Sequence, residues 1–173
     1  MCIRDSFTGD YNKKNMFFKV PDLPKWLYEL PVTIIQESTY GNMDTTDIEE
    51  CFEENILRGT REQKTIVVPA FSLGRYQEVL YFLKTLQKRG ALDPNIPIYG
   101  DGKLAATYTN MFLNNPNLGI DSEMTDFLPE NVEFISGSEA RSNVIADIHS
   151  KIIVTTSGMG SYGPAQEYIS KLI

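Results

Sequence analysis

The sequence predicts an α/β fold built on a mostly parallel, doubly wound sheet, and three observations carry that prediction. Short runs rich in β-branched residues alternate with amphipathic helical stretches, as expected of a parallel sheet covered on both faces. The clearest unit runs from Thr65-Ile66-Val67-Val68, stopped by Pro69, into a stretch with Tyr76, Val79, Leu80, Phe82, Leu83 and Leu86 at helical spacing before Gly90. The chain has 173 residues, 42% of them hydrophobic, which is enough apolar material for one compact core.

Taken in order, Thr8-Gly9-Asp10 reads as a tight turn. Met1 to Ser6 do not read as the apolar strand such a turn should follow, and are taken as a non-native leader. Trp26 with Leu27 and Leu30 forms a small apolar anchor, and Val32-Thr33-Ile34-Ile35 a buried strand. Thr46 with Glu49 offers a capping box for a helix that turns Ile48, Cys51, Phe52 and Ile56 inward and ends at Gly59. After the clear unit, Ile96-Pro97-Ile98-Tyr99 predicts a third short strand, with a helix from Lys103 to about Leu113. Residues 114–130 read as polar and irregular. Val132-Glu133-Phe134-Ile135 and Lys151-Ile152-Ile153-Val154-Thr155 are further strands around a helix from Ser138 to Asp147, and a last helix begins near Pro164. Of the aromatic residues, Phe71, Tyr76 and Phe82 fall at core spacing.

Composition removes several classes. Charged residues make up 23%, and 12 Gly with 9 Pro stay well below a low-complexity composition, so a disordered or collagen-like chain is excluded. No apolar run reaches the roughly 18 to 20 residues a bilayer span needs, so no membrane association is expected. Cys2 and Cys51 provide neither a disulfide framework nor metal-ligand spacing, which suits a reducing, cytoplasmic setting. A net charge of −7 opposes nucleic-acid binding by the surface as a whole. It is compatible with a local basic cleft if the acidic surplus sits elsewhere, for instance on the helix with Asp47, Glu49, Glu50, Glu53 and Glu54.

Four segments in series then resemble one family. They are Phe7-Thr8-Gly9-Asp10-Tyr11, Ile34-Ile35-Gln36-Glu37-Ser38-Thr39-Tyr40-Gly41, Pro69-Ala70-Phe71-Ser72-Leu73-Gly74-Arg75-Tyr76-Gln77-Glu78, and Thr155-Thr156-Ser157-Gly158-Met159 followed by Gly163-Pro164-Ala165. Together they are similar to the motif series of the β-CASP branch of the metallo-β-lactamase superfamily, and Gly100-Asp101-Gly102-Lys103-Leu104-Ala105 resembles a further segment of it. The resemblance implies the edge of a metallo-β-lactamase αββα sandwich over residues 1–41. Residues 42–173 would be an inserted, mostly parallel β-CASP domain, truncated on its C-terminal side. It also implies hydrolysis of RNA phosphodiesters by a water held between two metal ions, usually zinc. RNA is then the expected partner, and a homodimer is compatible with the family.

By the same resemblance Asp10 bridges the two metals and Glu37 orients a histidine near the leaving group. From the residues alone, Asp10 is equally a turn acid capping its own backbone, and Glu37 a strand-end carboxylate open to water. Ser72, Gly74 and Arg75 sit where a loop enters a helix, so backbone N–H groups and a guanidinium can converge on a phosphate. Arg75 can instead pair with Glu78 and hold the loop. Ser157, Gly158 and Met159 form a small-residue loop at the carboxyl end of a strand, where open α/β sheets place ligands, or else an ordinary connection. Lys103, at a helix start, adds positive charge to a phosphate path or is simply solvated.

The family's metal cluster also needs several imidazoles. The sequence holds one histidine, His149, in no ligand motif, so the chain as given is expected to lack a complete zinc site and activity of its own. Two rivals remain. One is a β-CASP-like scaffold or RNA-binding subunit that has lost the metals. The other is a self-contained doubly wound domain holding a small phosphorylated ligand at the Ser157 loop; the glycine spacing of a dinucleotide fingerprint is absent.

Overall fold

A computed structural model of the chain describes residues 4–9, 22–29, 31–39, 41, 47–115 and 126–173. Two parallel sheets are present among them. The smaller pairs β1 (Arg4–Phe7) with β2 (Val32–Ile35), with the helical turn α1 (Trp26–Glu29) between them in sequence. The larger contains β3 (Thr65–Pro69), β4 (Ile98–Asp101), β5 (Val132–Ile135) and β6 (Lys151–Thr155) in the spatial order β3-β6-β4-β5. Around it run α2 (Ile48–Arg61), α3 (Arg75–Lys88), α4 (Lys103–Asn114), α5 (Ser138–Ala146) and α6 (Gly163–Leu172).

The strand period of two sorts the core into two layers. Val68, Ala70, Ile98, Ile152 and Val154 meet Ile56 of α2, Tyr76, Leu80 and Leu83 of α3, and Ala105 of α4. Val67, Tyr99, Ile135 and Ile153 meet Val144 of α5 and Tyr168 of α6. The sheet is thus covered on both faces, which is why β6 is buried along its whole length. Lys151 is fully enclosed at the start of β6, and its ammonium donates to the carbonyls of Asp147 and His149 and pairs with the Asp147 carboxylate at 3.2 Å. Those partners satisfy a charge that would otherwise be costly to bury. No helix among the described residues is long and apolar enough to cross a membrane.

The predicted doubly wound α/β class is what the strands and helices form, and β5 and β6 fall where the sequence places them. Several details differ. Residues 4–7 do form a strand despite their polar character, because β2 supplies a parallel neighbour and Thr8 N–H extends the ladder to the Ile35 carbonyl at 3.1 Å. β2 itself is largely exposed, not buried: its paired neighbour among the described residues is the four-residue β1, which leaves the side chains of Ile34 and Ile35 uncovered.

α2 begins after Asp47, which makes no side-chain cap bond, while Thr46 lies outside the described residues. Gly59 does not end α2; it lies inside the helix, where its missing Cβ admits the Ile66 side chain. Ile48 and Cys51 face solvent; Ile56 is buried, and Phe52 packs edge-on to Phe82 with ring centroids 5.4 Å apart. β4 starts two residues later than predicted, since Pro97 has no N–H for the ladder and serves it only as an acceptor, from Ile152 N–H at 2.9 Å. That shift carries Asp101 into the sheet. Trp26 is exposed, and Leu30 is outside the described residues. Within the stretch read as irregular, residues 126–128 pack back on the domain: Phe127 is buried with Phe112, and Asp126 pairs with Lys84 of α3.

Candidate functional site

The carboxyl ends of β3, β6 and β4 are adjacent, so the loops that follow them meet at one edge of the sheet. Two glycines make the contact close. A Cβ on Gly158 would stand 2.9 Å from the Phe71 backbone nitrogen and about as close to its ring, and one on Gly102 would stand 2.6 Å from Thr156 Oγ1. Thr156 N–H also donates to the Asp101 carbonyl at 3.2 Å, and Ala70 N–H to the Thr155 carbonyl at 2.8 Å. Ser157, Gly158 and Met159 are therefore wedged between the loop that leads to Arg75 and the loop that leads to Lys103. This edge, rather than any internal cavity, is where a strand-end site of an open α/β sheet is built.

Its chemistry is mixed. Arg75 opens α3 with 65% of its side chain exposed, and Nη1 donates to Glu78 Oε2 at 2.7 Å. Both alternatives read from the sequence thus coexist in one side chain: a guanidinium braced by Glu78 that still presents itself to solvent. The backbone N–H groups at the same helix start are already engaged. Gly74 N–H donates to Gln77 Oε1 at 2.8 Å, Arg75 N–H to the Leu73 carbonyl at 3.1 Å and Tyr76 N–H to the Phe71 carbonyl at 3.1 Å. At this helix start it is the guanidinium, rather than these amides, that is open to solvent. Lys103, at the first position of α4, is exposed as well. In the Ser157 loop, Gly160 N–H donates to the Ser157 carbonyl at 3.0 Å and Ala165 N–H to the Thr156 carbonyl at 2.8 Å.

Large apolar side chains surround these groups. Phe71, predicted as core, is 52% exposed, because it leaves the sheet at the carboxyl end of β3 and lies over Gly158 instead of under a helix. Leu73, Met159 and Tyr162 are exposed on the same loops, and Leu104 in the first turn of α4.

Beneath the edge lies a polar cluster that sequence reasoning missed. Asp101 Oδ2 accepts from Arg141 Nε at 2.7 Å and from Tyr168 Oη at 3.0 Å, and Oδ1 accepts from Arg141 Nη2 at 3.3 Å. Arg141 Nη1 continues to Glu167 Oε2 at 2.9 Å, and Lys171 donates to Glu167 Oε1 at 2.8 Å. Hydrogen bonding to Asp101 raises the Arg141 pKa further, while Lys171 first and Arg141 second hold the Glu167 carboxyl below its ordinary value. Burial, with Asp101 beside it, pushes the Tyr168 hydroxyl up. Forty residues separate Asp101 from Arg141, and a strand-end Asp before Gly102 reads as a turn acid; the one available signal is an arginine at 141 within an otherwise weakly patterned helix.

The other predicted residues belong to the small sheet. Glu37 follows β2; its N–H donates to Thr8 Oγ1 at 3.3 Å and its Oε2 accepts from Thr39 N–H at 2.8 Å. Thr8 stands two residues before Asp10 in sequence, so the Glu37 segment and the start of the Asp10 turn are hydrogen-bonded together. Asp10 itself lies outside the described residues. His149 is exposed and bonds the Asp147 carboxylate at 2.6 Å. Among the described residues no three His, Cys, Asp or Glu side chains gather as a metal-binding group.

The described strands and helices of the larger sheet thus form a parallel α/β domain of the open-sheet class, with three loops gathered at the strand ends and an exposed guanidinium among them. Comparison with known sequences narrows this: the Beta-Casp domain family matches residues 76–173, and the chain belongs to that family, within the metallo-β-lactamase superfamily. It is 32% identical over 176 residues to transcription termination factor FttA of Methanosarcina mazei, which covers 94% of this chain and 27% of the relative. It is 30% identical over 175 residues to RNase aCSPSF2 of Saccharolobus solfataricus, covering 96% of this chain and 32% of that protein. An RNase J-like protein of Methanocaldococcus jannaschii is 27% identical over 172 residues, covering 96% of this chain and 40% of the relative. The chain thus spans between about a quarter and two fifths of the length of these relatives.

Proposed function

We propose that this chain is part of a ribonuclease of the metal-dependent hydrolase type, and that its larger sheet holds the RNA backbone. Residues 1–41 belong on this reading to the catalytic fold and residues 42–173 to the β-CASP domain that positions substrate. The carrying observation is the meeting of the Arg75, Lys103 and Ser157 loops at one sheet edge, with Phe71 and Tyr162 exposed beside the cations. Exposed cations on neighbouring loops suit phosphates, and exposed rings suit unpaired bases, a combination typical of single-stranded RNA. Similarity to both termination factors and RNases supports RNA as the common ligand.

In this reading Arg75 grips a phosphate while Glu78 keeps the guanidinium from swinging away, Ser157 donates its hydroxyl to the same backbone, and Gly158 and Met159 shape the path. Asp10 is proposed as a zinc ligand and Glu37 as the acid that orients a neighbouring imidazole. The described side chains do not by themselves fit a zinc ion, since His149 is committed to Asp147 and no third donor joins them. The remaining donors are assigned to parts of the protein other than these. The cytoplasm is the proposed compartment.

The test is binding of a fluorescein-labelled single-stranded RNA to this chain, followed by anisotropy across a salt series. Arg75→Ala and Lys103→Ala should each weaken binding and each reduce the slope of log K against log salt by about 0.7. Salt-independent binding, or binding by the double variant equal to that of the unsubstituted chain, overturns the assignment of this edge.

A further inference from the structure

Gln77 is an uncharged polar side chain in the middle of an apolar helix face, and it is 0% exposed. Its neighbours on that face, Tyr76 and Leu80, are fully buried too, so packing alone would accept a leucine or methionine at 77; what such a residue would lack is the amide's hydrogen bonds. The amide is instead spent on two other elements. Oε1 accepts from Gly74 N–H at 2.8 Å, while Nε2 donates to Thr109 Oγ1 at 3.0 Å and to the Ser72 carbonyl at 3.2 Å, with the Ala105 carbonyl at 3.4 Å. One side chain therefore fastens the backbone on both sides of Leu73 and ties it to the body of α4.

The fastened residues matter. Gly74 holds φ of +82°, a conformation open to glycine, and directly precedes Arg75. α4, at the other end of the tie, begins with Lys103. The two exposed cations of the edge thus start from elements that share the apolar core and are also joined by one buried amide.

We propose that Gln77, through Thr109, is a positioning residue that fixes the presentation of Arg75 relative to Lys103, and so sets how the chain grips consecutive phosphates. The proposal rests on the reading of Arg75 as a phosphate-holding group. Gln77 touches no ligand itself; its effect passes through the Ser72–Gly74 backbone. Loss of its bond to Thr109 leaves the amide held by the Gly74 N–H and the Ser72 carbonyl on its own loop, with only the long contact to the Ala105 carbonyl toward α4, and so loosens the tie without removing any charge from the surface.

The experiment is a double-mutant cycle on RNA affinity, read by anisotropy with the labelled RNA described above. Thr109→Val removes the acceptor at constant shape from a side chain that is 1% exposed. It is expected to weaken RNA binding about five-fold, the equivalent of one net hydrogen bond, with the thermal midpoint changed by only a few degrees. Thr109→Ser, which keeps the hydroxyl, should restore binding. Gln77→Met, which also removes the bonds to Gly74 N–H and the Ser72 carbonyl, should weaken binding at least as much as Thr109→Val, and Arg75→Ala should cost much less in either background than alone. Additive losses, or failure of Thr109→Ser to rescue, overturn the positioning role and leave the phosphate reading standing. Arg75→Ala without effect on the unsubstituted chain overturns both.

Discussion

Replacing Arg141 with methionine removes the guanidinium from beneath the site edge at roughly constant volume. The partner left behind is Asp101, 2% exposed, which loses the donors at 2.7 and 3.3 Å and keeps only the Tyr168 hydroxyl at 3.0 Å among its three side-chain donors. A buried carboxylate stripped of its charged partner typically destabilises a protein by about 3–5 kcal/mol, far more than the pair contributes over an apolar replacement. Asp101→Asn should cost less, about 1–3 kcal/mol, because the amide stays isosteric and the guanidinium keeps Glu167. The double variant should be more stable than the sum of the single losses by about 1–3 kcal/mol, since the orphaned charge is gone. Urea unfolding of the four proteins by circular dichroism supplies the numbers. A loss below about 1 kcal/mol for Arg141→Met, or strict additivity, would refute the claim that the Arg141 guanidinium is the partner that satisfies the buried Asp101 carboxyl group.

Gly102→Ala should destabilise by roughly 1–3 kcal/mol and weaken RNA binding together, because φ is +154° and the new methyl meets Thr156 beside Ser157; thermal melts and anisotropy check both. Leu80→Ala, at a site fully enclosed by the larger core, should cost about 2–5 kcal/mol in urea unfolding with binding intact at saturating stability. Burial first, and Asp101 second, push the Tyr76 hydroxyl up, and Tyr168 moves the same way, so neither should give phenolate absorbance near 295 nm until alkali unfolds the chain. The His149 N–H foremost, and its ring next, hold the Asp147 carboxyl at about 2 against an ordinary 3.8. Its contribution to stability is therefore complete above 3.8 and is lost as pH falls toward 2; Asp147→Asn should lower the thermal midpoint at pH 6 and converge with the unsubstituted protein near pH 2.

How much of this was readable beforehand depended on the range of the cause. β5, β6 and α3 were legible because a run of β-branched residues, or an apolar stripe closed by Gly90, is a local pattern. β4 slipped by two residues because Ile96-Pro97-Ile98 has the composition of a strand while the missing proline N–H decides where the ladder starts. The exposure of β2 was hidden, since an apolar run reports what a strand is suited to and not whether anything covers it. The motif loops were located correctly, yet what they do to one another was not: the Gly158–Phe71 and Gly102–Thr156 contacts join segments 54 to 87 residues apart. Arg75 was read as either gripping a phosphate or bracing the loop; the geometry shows the pairing with Glu78 and leaves the guanidinium exposed. Gln77 carried a signal that could have been used, a polar residue on the buried stripe between Tyr76 and Leu80, but its partners on α4 are 28 and 32 residues away.

The strand order has a consequence for how the chain assembles. β6, which follows β3, β4 and β5 in sequence, takes the place between β3 and β4, which are not neighbours of each other in the sheet. Until residues 151–155 emerge, β3 has no edge to zip onto, and its loop with Arg75 cannot meet the loop with Lys103. Closure of the sheet is thus a late, long-range event separated from β3 by 86 positions, the kind of pairing that slows folding and leaves an open edge exposed meanwhile. A nascent chain halted before β6 would carry Arg75 and Lys103 without the strand that joins β3 to β4.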